Sequence, residues 1–160
     1  MNKGESEMRK QINVTGFINQ AIASKLASIN DTRRDIAKIR ASKGTIRDLG
    51  KRTLSILDGL DARMSVSCIW SNPILRFTVQ DIDGFKDKRL ADALEMFMNQ
   101  GFTESRTWES AEYLNREYTF RRGDLDVELN VYVRSDSPTC RRIPIGEKTI
   151  TQTQYEIQCD

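Results

Sequence analysis

Hydrophobic residues near the start of the chain recur at the period of an α-helix. Ile18, Ile22, Leu26 and Ile29 are separated by four, four and three residues, which predicts one stripe of an amphipathic helix. The segment 30–32, Asn-Asp-Thr, then offers the side-chain acceptors of an N-cap. A second helix is therefore expected to begin there.

The second helical region has apolar residues at Ile36, Ile39, Ile46, Leu49, Ile56, Leu57 and Leu60. From Ile46 to Leu60 their 3-4 spacing resembles about two heptads of a coiled coil. A break is expected at 42–44, where Gly44 weakens the helix and Thr45 offers a fresh N-cap. Residues 1–64 are thus predicted to form a helical arm, either an intramolecular hairpin or a short coiled coil. In the second case the arm makes a homodimer through Ile46, Leu49, Ile56 and Leu60.

Residues 65–160 show the patterns of an α+β domain. Two β-rich runs, SVSCIW and ILRFTVQD, flank a turn or bulge signal at Asn72-Pro73. A helix over about 86–99 ends at Gly101, and strands follow at about 102–108 and 113–122. Residues 125–133 then alternate strictly between apolar and polar side chains, which predicts a strand with one buried face. The expected body is β-α-β-β-β-β, a mostly antiparallel sheet with one covering helix.

Residues 140–160 predict a β-hairpin whose turn is Gly146-Glu147. In that register Cys140 lies opposite Thr153, so a disulfide between Cys140 and Cys159 is not expected. Three widely spaced cysteines also fit no zinc motif, and idle thiols in a reduced compartment are expected.

Composition narrows the function classes. The chain contains no histidine, which excludes Ser-His and Cys-His nucleophilic pairs and histidine-ligated metals. No glycine-rich phosphate-binding motif is present, and no cofactor is expected. No apolar run approaches the roughly 20 residues of a membrane span, and the first residues lack the apolar core of a signal peptide. A cytoplasmic protein without membrane contact is therefore expected.

Charge is unevenly distributed along the chain. Residues 1–65 carry 13 Lys and Arg against 7 Asp and Glu, whereas residues 66–160 carry 12 against 16. The basic excess is concentrated on one face of the predicted second helix, at Arg33, Arg34, Lys38, Arg40, Arg47, Lys51 and Arg52. This face has three interpretations: it lines the phosphates of a nucleic acid, docks on an acidic protein surface such as the second half of the same chain, or is simply solvated.

Two further clusters suggest chemistry. Asp124, Asp126 and Glu128 point to one side of their strand and could hold a divalent metal, as in a nuclease. Arginines at 116, 121 and 122 on the neighbouring strand would instead make them partners in cross-strand ion pairs. Aromatic residues interleaved with arginines on the predicted sheet could stack on bases of single-stranded nucleic acid, or could form ordinary cross-strand pairs.

The C-terminal run YLNREYTFRRGDLDVELNVYVRSDSPTCRRIPIGEKTITQTQYEIQCD resembles small accessory proteins encoded by bacteriophages. The resemblance covers about the last 60 residues, contains no catalytic motif and transfers no functional residue. It implies a phage setting in which the partner is a host or phage protein. The leading hypothesis is a non-enzymatic interaction protein, with a nucleic-acid-binding protein and a metal-dependent nuclease as alternatives.

Overall fold

A computed structural model describes residues 14–70, 72–148 and 152–159 and confirms the α+β class. The elements in chain order are α1 (Val14–Ala41), α2 (Lys43–Ile56), β1 (Asp61–Ile69), β2 (Asn72–Ile82), α3 (Lys88–Asn99), β3 (Thr103–Ser110), β4 (Asn115–Arg122), β5 (Leu125–Val133), β6 (Cys140–Lys148) and β7 (Gln152–Cys159). Three features match the sequence-based expectation: helix α3, strand β5 at 125–133, and the glycine cap at Gly101, whose φ is +82°.

The sheet is mixed and mostly antiparallel. Five strands lie in the order β1-β2-β5-β4-β3, and only the central pairing of β2 with β5 is parallel. The parallel pairing arises because α3, β3 and β4 intervene between β2 and β5, which gives the chain room to cross over. Strands β6 and β7 form a separate two-stranded sheet.

The N-terminal helices do not fold back as a hairpin. α1 continues through residues 30–32, so the N-cap expected there is wrong; Thr32 Oγ1 instead donates to the Ser28 carbonyl one turn earlier, at 2.9 Å. The break at 42–44 is confirmed, but Ser42 rather than Thr45 is the N-cap residue of α2, and its side chain makes no capping hydrogen bond. Backbone bonds from Ser42 to Lys38 and from Ile46 to Ser42 continue the helical ladder across the junction.

The hydrophobic core lies between one face of the five-stranded sheet and the helices α2 and α3. The Phe97 ring packs at 6.0 Å from Phe77 and at 5.5 Å from Phe120, measured between centroids, so α3 is centred on β2 and β4. Ile46 and Leu49 of α2 are buried in the same core. The proposed boundary between residues 64 and 65 falls inside β1, which is paired with β2 from Asp61 onwards.

The turns of both hairpins lie at other positions than the sequence indicates. The β1–β2 turn is at Trp70, whose φ is +52°, whereas Asn72 and Pro73 already belong to β2. In the last hairpin Lys148 pairs with Gln152 and Cys140 pairs with Cys159, so Gly146 and Glu147 lie within β6 rather than at a turn. The expected register was therefore wrong.

A disulfide joins Cys140 to Cys159, with 4.2 Å between their Cα atoms. Its absence was predicted from a turn placed too early, which set Cys140 opposite Thr153 and left Cys159 without a neighbour. Cys140 is buried and packs with Ile157 at the edge of the core, so the bridge closes the end of the chain onto the body. Of the three cysteines, only Cys68 is a free thiol.

Candidate interaction surface on the N-terminal helices

One side of α1 and α2 faces the sheet, and it can be followed along both helices. Between residue 19 and the end of α1, the partly buried residues are Asp35, Lys38 and Ile39. In α2 the buried residues are Ile46, Leu49, Gly50 and Thr53. The continuous hydrogen bonding across Ser42 keeps these positions on one side. We call it the inward side.

The apolar stripe of α1 lies on a different side. Ile22, Leu26 and Ile29 each precede a partly buried residue of the inward side by thirteen positions. At about 100° per residue, thirteen positions correspond to about 140° around the helix. The stripe therefore points away from the body, and its residues are half exposed: Ile22 53%, Leu26 56%, Ile29 48% and Ile36 44%.

Two rows with a spacing of seven residues define this outward side of the helices. One row is Leu26, Arg33, Arg40 and Arg47, and the other is Ile22, Ile29 and Ile36. The first half of the outward side is thus mainly apolar and the second half mainly basic. All seven residues are exposed.

The structure separates the seven predicted basic contact residues into three groups. Arg33, Arg40, Arg47 and Lys51 project on the outward side, Arg34 and Arg52 lie on its flank, and Lys38 lies on the inward side. Six of the seven are exposed and Lys38 is half-buried. The six exposed residues therefore form a ridge with cations along one flank, and Lys38 does not belong to it.

The basic residues remain largely unneutralised by the rest of the described chain. Arg34 pairs with Asp31 at 3.4 Å and Arg47 with Asp48 at 3.3 Å, both on the exposed helix surface. Over residues 14–70, 72–148 and 152–159 no salt bridge joins the seven to the acidic second half. Exposed pairs of this kind contribute little, so the ridge keeps its positive potential.

The predicted self-association residues are used within the chain. Ile46 and Leu49 are 7% and 3% exposed and belong to the core, while Ile56 and Leu60 are partly buried against it. Their burial requires no second chain. The spacing of Ile22, Leu26 and Ile29 predicts a helix, but it does not distinguish a stripe that packs on the sheet from one that projects.

The end of α1 is anchored on β1. The Cys68 thiol lies 3.8 Å from the Asp35 carbonyl oxygen. Burial raises the pKa of the Cys68 thiol, the Asp35 carboxylate raises it further, and Lys38 acts in the opposite direction. A protonated, half-buried thiol is a poor nucleophile, so Cys68 serves the packing of α1 against the sheet.

The acidic row of β5 is occupied by arginines. Asp126 accepts two hydrogen bonds from Arg121, at 2.6 and 2.9 Å, and this contact raises the pKa of the Arg121 guanidinium. Glu128 accepts a hydrogen bond from Arg76 on β2 at 2.6 Å. The expected cross-strand ion pair is confirmed for Arg121. Among the described residues, no group of three or more His, Cys, Asp or Glu side chains is arranged to hold a metal ion.

Comparison of the chain with protein-family models, curated proteins and solved structures finds no match. The residues and their geometry therefore carry the functional argument. Of the described helices, none combines the length and apolar character needed to cross a membrane.

Proposed function

We propose that this chain is a non-enzymatic interaction protein that docks on an acidic, partly apolar protein surface through the outward side of α1 and α2. The observation that carries the proposal is the stripe of Ile22, Leu26, Ile29 and Ile36, half exposed on the side of α1 that faces away from the body. An amphipathic helix of this kind fits the groove of a partner by inserting residues spaced three and four apart.

The apolar half of the outward side favours a protein over a nucleic acid. Phosphate backbones are bound by cations and hydrogen-bond donors, and a row of aliphatic side chains adds nothing to such contacts. A protein groove, in contrast, gains from each aliphatic group removed from water. The stripe lies in line with Arg33 and Arg40, so one extended partner surface would cover both kinds of residue.

The basic half of the outward side specifies an acidic partner. Covering Arg33 and Arg40 without carboxylates opposite would leave guanidinium groups desolvated and unpaired, which is strongly unfavourable. Carboxylates on the partner would satisfy them, speed the encounter and reject neutral grooves. The partner surface is therefore apolar where it meets residues 22–29 and acidic where it meets residues 33–47.

A second candidate is self-association through the same side, and the 4-3 spacing of Ile22, Leu26 and Ile29 favours it because that spacing suits a coiled coil. A parallel second copy would set Arg33 against Arg33 and Arg40 against Arg40. An antiparallel copy would set basic residues against apolar ones. Neither arrangement sets a carboxylate against Arg33 or Arg40, so a different, acidic protein fits this side better.

The test places a photo-crosslinking residue at Leu26, on the outward side, or at Ser24, which is exposed on another side of the helix. Both proteins are exposed to a nuclease-treated cell extract. We expect protein adducts from Leu26 that disappear when Ile29→Glu is added and persist when Gln20→Glu is added at an exposed control position. Identical adducts from Leu26 and Ser24 would contradict the proposal.

Sedimentation of the full chain separates the two candidates. Measured up to about 100 µM, it detects pairing worth about 5.5 kcal/mol or more. A monomer at this concentration would eliminate self-association and leave the docking proposal standing. A dimer that Ile29→Glu dissociates would replace it. Adducts that vanish with nuclease, together with binding that falls steeply with salt and is lost when Arg33, Arg34, Arg40 and Arg47 are changed to Glu, would indicate nucleic acid instead.

A further inference from the structure

The five-stranded sheet has a second face on which no helix of the described chain packs. Residues paired across strands share a face, so the pairings define a row Thr78–Asn130–Glu117–Trp108 that crosses β2, β5, β4 and β3. The next row contains the pair Asn115–Tyr132. This open face is polar, in contrast to the apolar face beneath α2 and α3.

A concavity of about 470 Å³ lies on the open face around these two rows. Asn115 and Asn130, which are 5% and 7% exposed, lie deepest. Trp108 and Tyr113, which are 43% and 63% exposed, stand at the rim. The lining residues are Arg76, Thr78, Trp108, Tyr113, Asn115, Glu117, Asn130 and Tyr132.

One buried polar atom in this concavity has no partner. The side-chain oxygen of Asn115 is removed from solvent and accepts no hydrogen bond from the described residues. Buried polar groups are almost always hydrogen-bonded, because leaving one unpaired is unfavourable. A half-turn of the Asn115 amide would bring this oxygen to the recess, where, below a rim of aromatic rings, it would match a flat ligand that carries a donor on its edge.

We propose that this recess binds a single nucleobase, stacked against Trp108 and hydrogen-bonded along its edge by Asn115. Aromatic side chains on an open sheet are the usual stacking platform for unpaired bases. An asparagine side chain can both accept from and donate to a base edge, as it does with adenine. The same base could come from a free nucleoside or from a single strand, and the chemistry of recognition is shared.

The charges of the recess indicate recognition of the base rather than of its phosphate. Among the described lining residues Arg76 is the one cation, and its guanidinium is held by Glu128 at 2.6 Å. Glu117 contributes a carboxylate to the same wall. A phosphate therefore finds one cation there, and its charge is already balanced by the Glu128 carboxylate. This site is independent of the proposed docking by α1, and either proposal can fail without the other.

Fluorescence gives a direct readout, because Trp70 and Trp108 are the two tryptophans of the chain. In a Trp70→Phe background Trp108 is the sole emitter, and adenosine is expected to quench it saturably. Trp108→Ala, followed by calorimetry, should weaken adenosine binding between about fivefold and a hundredfold, the range of one base–aromatic stack. Trp70→Ala, at the exposed β1–β2 turn, is the matched control and should change nothing.

Asn115→Leu separates recognition from structure. If Asn115 served folding alone, its loss would lower the melting temperature and would not act selectively on the ligand. We expect this variant to keep or raise the melting temperature, because it removes an unpaired buried oxygen, and to weaken adenosine binding about tenfold or more. A variant that binds adenosine like the wild type would overturn the role of Asn115 and with it the proposal.

Four ligands distinguish the outcomes. Adenosine and a short single-stranded oligonucleotide test the two sources of the base, and saturable binding of either supports the proposal. Adenosine 5′-monophosphate should bind within about fivefold of adenosine, the range of an exposed ion pair. Much tighter binding of the monophosphate, binding of a neutral disaccharide instead, or no saturation by either base source up to about 10 mM, a weak limit for any ligand, would overturn it.

Discussion

The two N-terminal helices form one hydrogen-bonded stretch, yet their apolar residues differ in exposure to solvent. Leu49 in α2 is 3% exposed, whereas Leu26 in α1 is 56% exposed. Every described side chain from residue 19 to residue 34 is exposed. Both segments have helical apolar spacing. The difference arises from position: α2 lies over the sheet, and α1 extends beyond the point where Asp35 meets Cys68.

This difference shows what an amphipathic pattern can mean. In α2 the stripe stabilises the chain itself, because the sheet removes it from water. In α1 the stripe stabilises nothing within the described chain, and an isolated helix of this length is marginal without a partner. An apolar stripe therefore indicates that one face of a helix is suited to burial. The tertiary structure determines whether the surface that buries it belongs to the same molecule.

The largest expected effect comes from the same substitution, Leu→Ala, made once in α2 and once in α1. Leu49→Ala removes a buried side chain from the core and should lower the free energy of unfolding by about 2–5 kcal/mol. Leu26→Ala should change it by less than about 0.5 kcal/mol, because the side chain is half exposed. Urea unfolding at low protein concentration measures both. Comparable losses would mean that the Leu26 side chain is covered in the free chain.

Removing the disulfide tests how far the stability of the fold depends on the attachment of the last strand. Cys140→Ser with Cys159→Ser opens a loop whose ends are 19 positions apart, and should lower the free energy of unfolding by about 3 kcal/mol. Cys68→Ser removes the free thiol and should cost less than half of that. Helicity of α1, followed by amide exchange, should be the same in the double-serine variant as in the wild type, because the described contact that anchors α1 is made at Cys68 and not at the bridge. Urea unfolding with and without reductant checks the result; a wild type insensitive to reductant would contradict it.

Much of the body could be predicted from the sequence. The strict alternation from Leu125 to Val133 and the helix that ends at Gly101 are local patterns, and both are confirmed. The last hairpin was misplaced because Gly146-Glu147 carries a strong local turn signal, whereas the cross-strand pairing that selects the register joins residues far apart along the chain. The same reason explains the missed disulfide.

The two candidate sites, the basic residues of the helices and the recess on the open face of the sheet, also differ in how far the sequence predicts them. The seven basic residues could be identified from composition and helical spacing, and six of them are exposed, whereas Lys38 is half-buried on the inward side. The open-face recess could not be assembled from the sequence. It depends on the order β2-β5-β4-β3, which brings Thr78 and Trp108 into one row although they are 30 positions apart. No local pattern contains that order.

Two glycines of α2 offer a smaller test of its contact with the sheet. A Cβ at Gly50 would lie 2.6 Å from the Met64 sulfur of β1, whereas a Cβ at Gly44 would meet nothing within 4 Å. Gly44→Ala should therefore stabilise the chain by about 0.5–1 kcal/mol through helix propensity. Gly50→Ala should stabilise the chain less than Gly44→Ala, because the flexible, 43% exposed Met64 side chain must first shift to make room for the new Cβ. Adding Met64→Ala should remove this difference; equal effects of both glycine substitutions in urea unfolding would mean that α2 does not approach Met64 this closely.

The smallest test concerns how each helix begins. Asp87 caps α3 by accepting a hydrogen bond from the Arg89 backbone amide at 2.9 Å, whereas Ser42 makes no such bond because the ladder of α1 runs on into α2. Asp87→Ala should therefore cost about 1 kcal/mol, and Ser42→Ala less than about 0.5 kcal/mol.

The Asp87 cap also has a pH signature. A side-chain hydrogen bond from Arg89 holds the pKa of Asp87 below its ordinary value of 3.8. Because the pKa is lowered in the folded chain, the charged carboxylate stabilises the fold above that value, and this contribution is lost as the pH falls through the folded pKa. Asp87→Asn should thus be less stable than the wild type at pH 7, and the gap should narrow once the pH falls well below about 4. Urea midpoints at both pH values measure the gap. A stability gap that persists in acid would place the stabilisation in packing around Asp87 rather than in its charge. For the comparison of the two caps, a Ser42→Ala loss as large as that of Asp87→Ala would show that α2 begins as an independent helix.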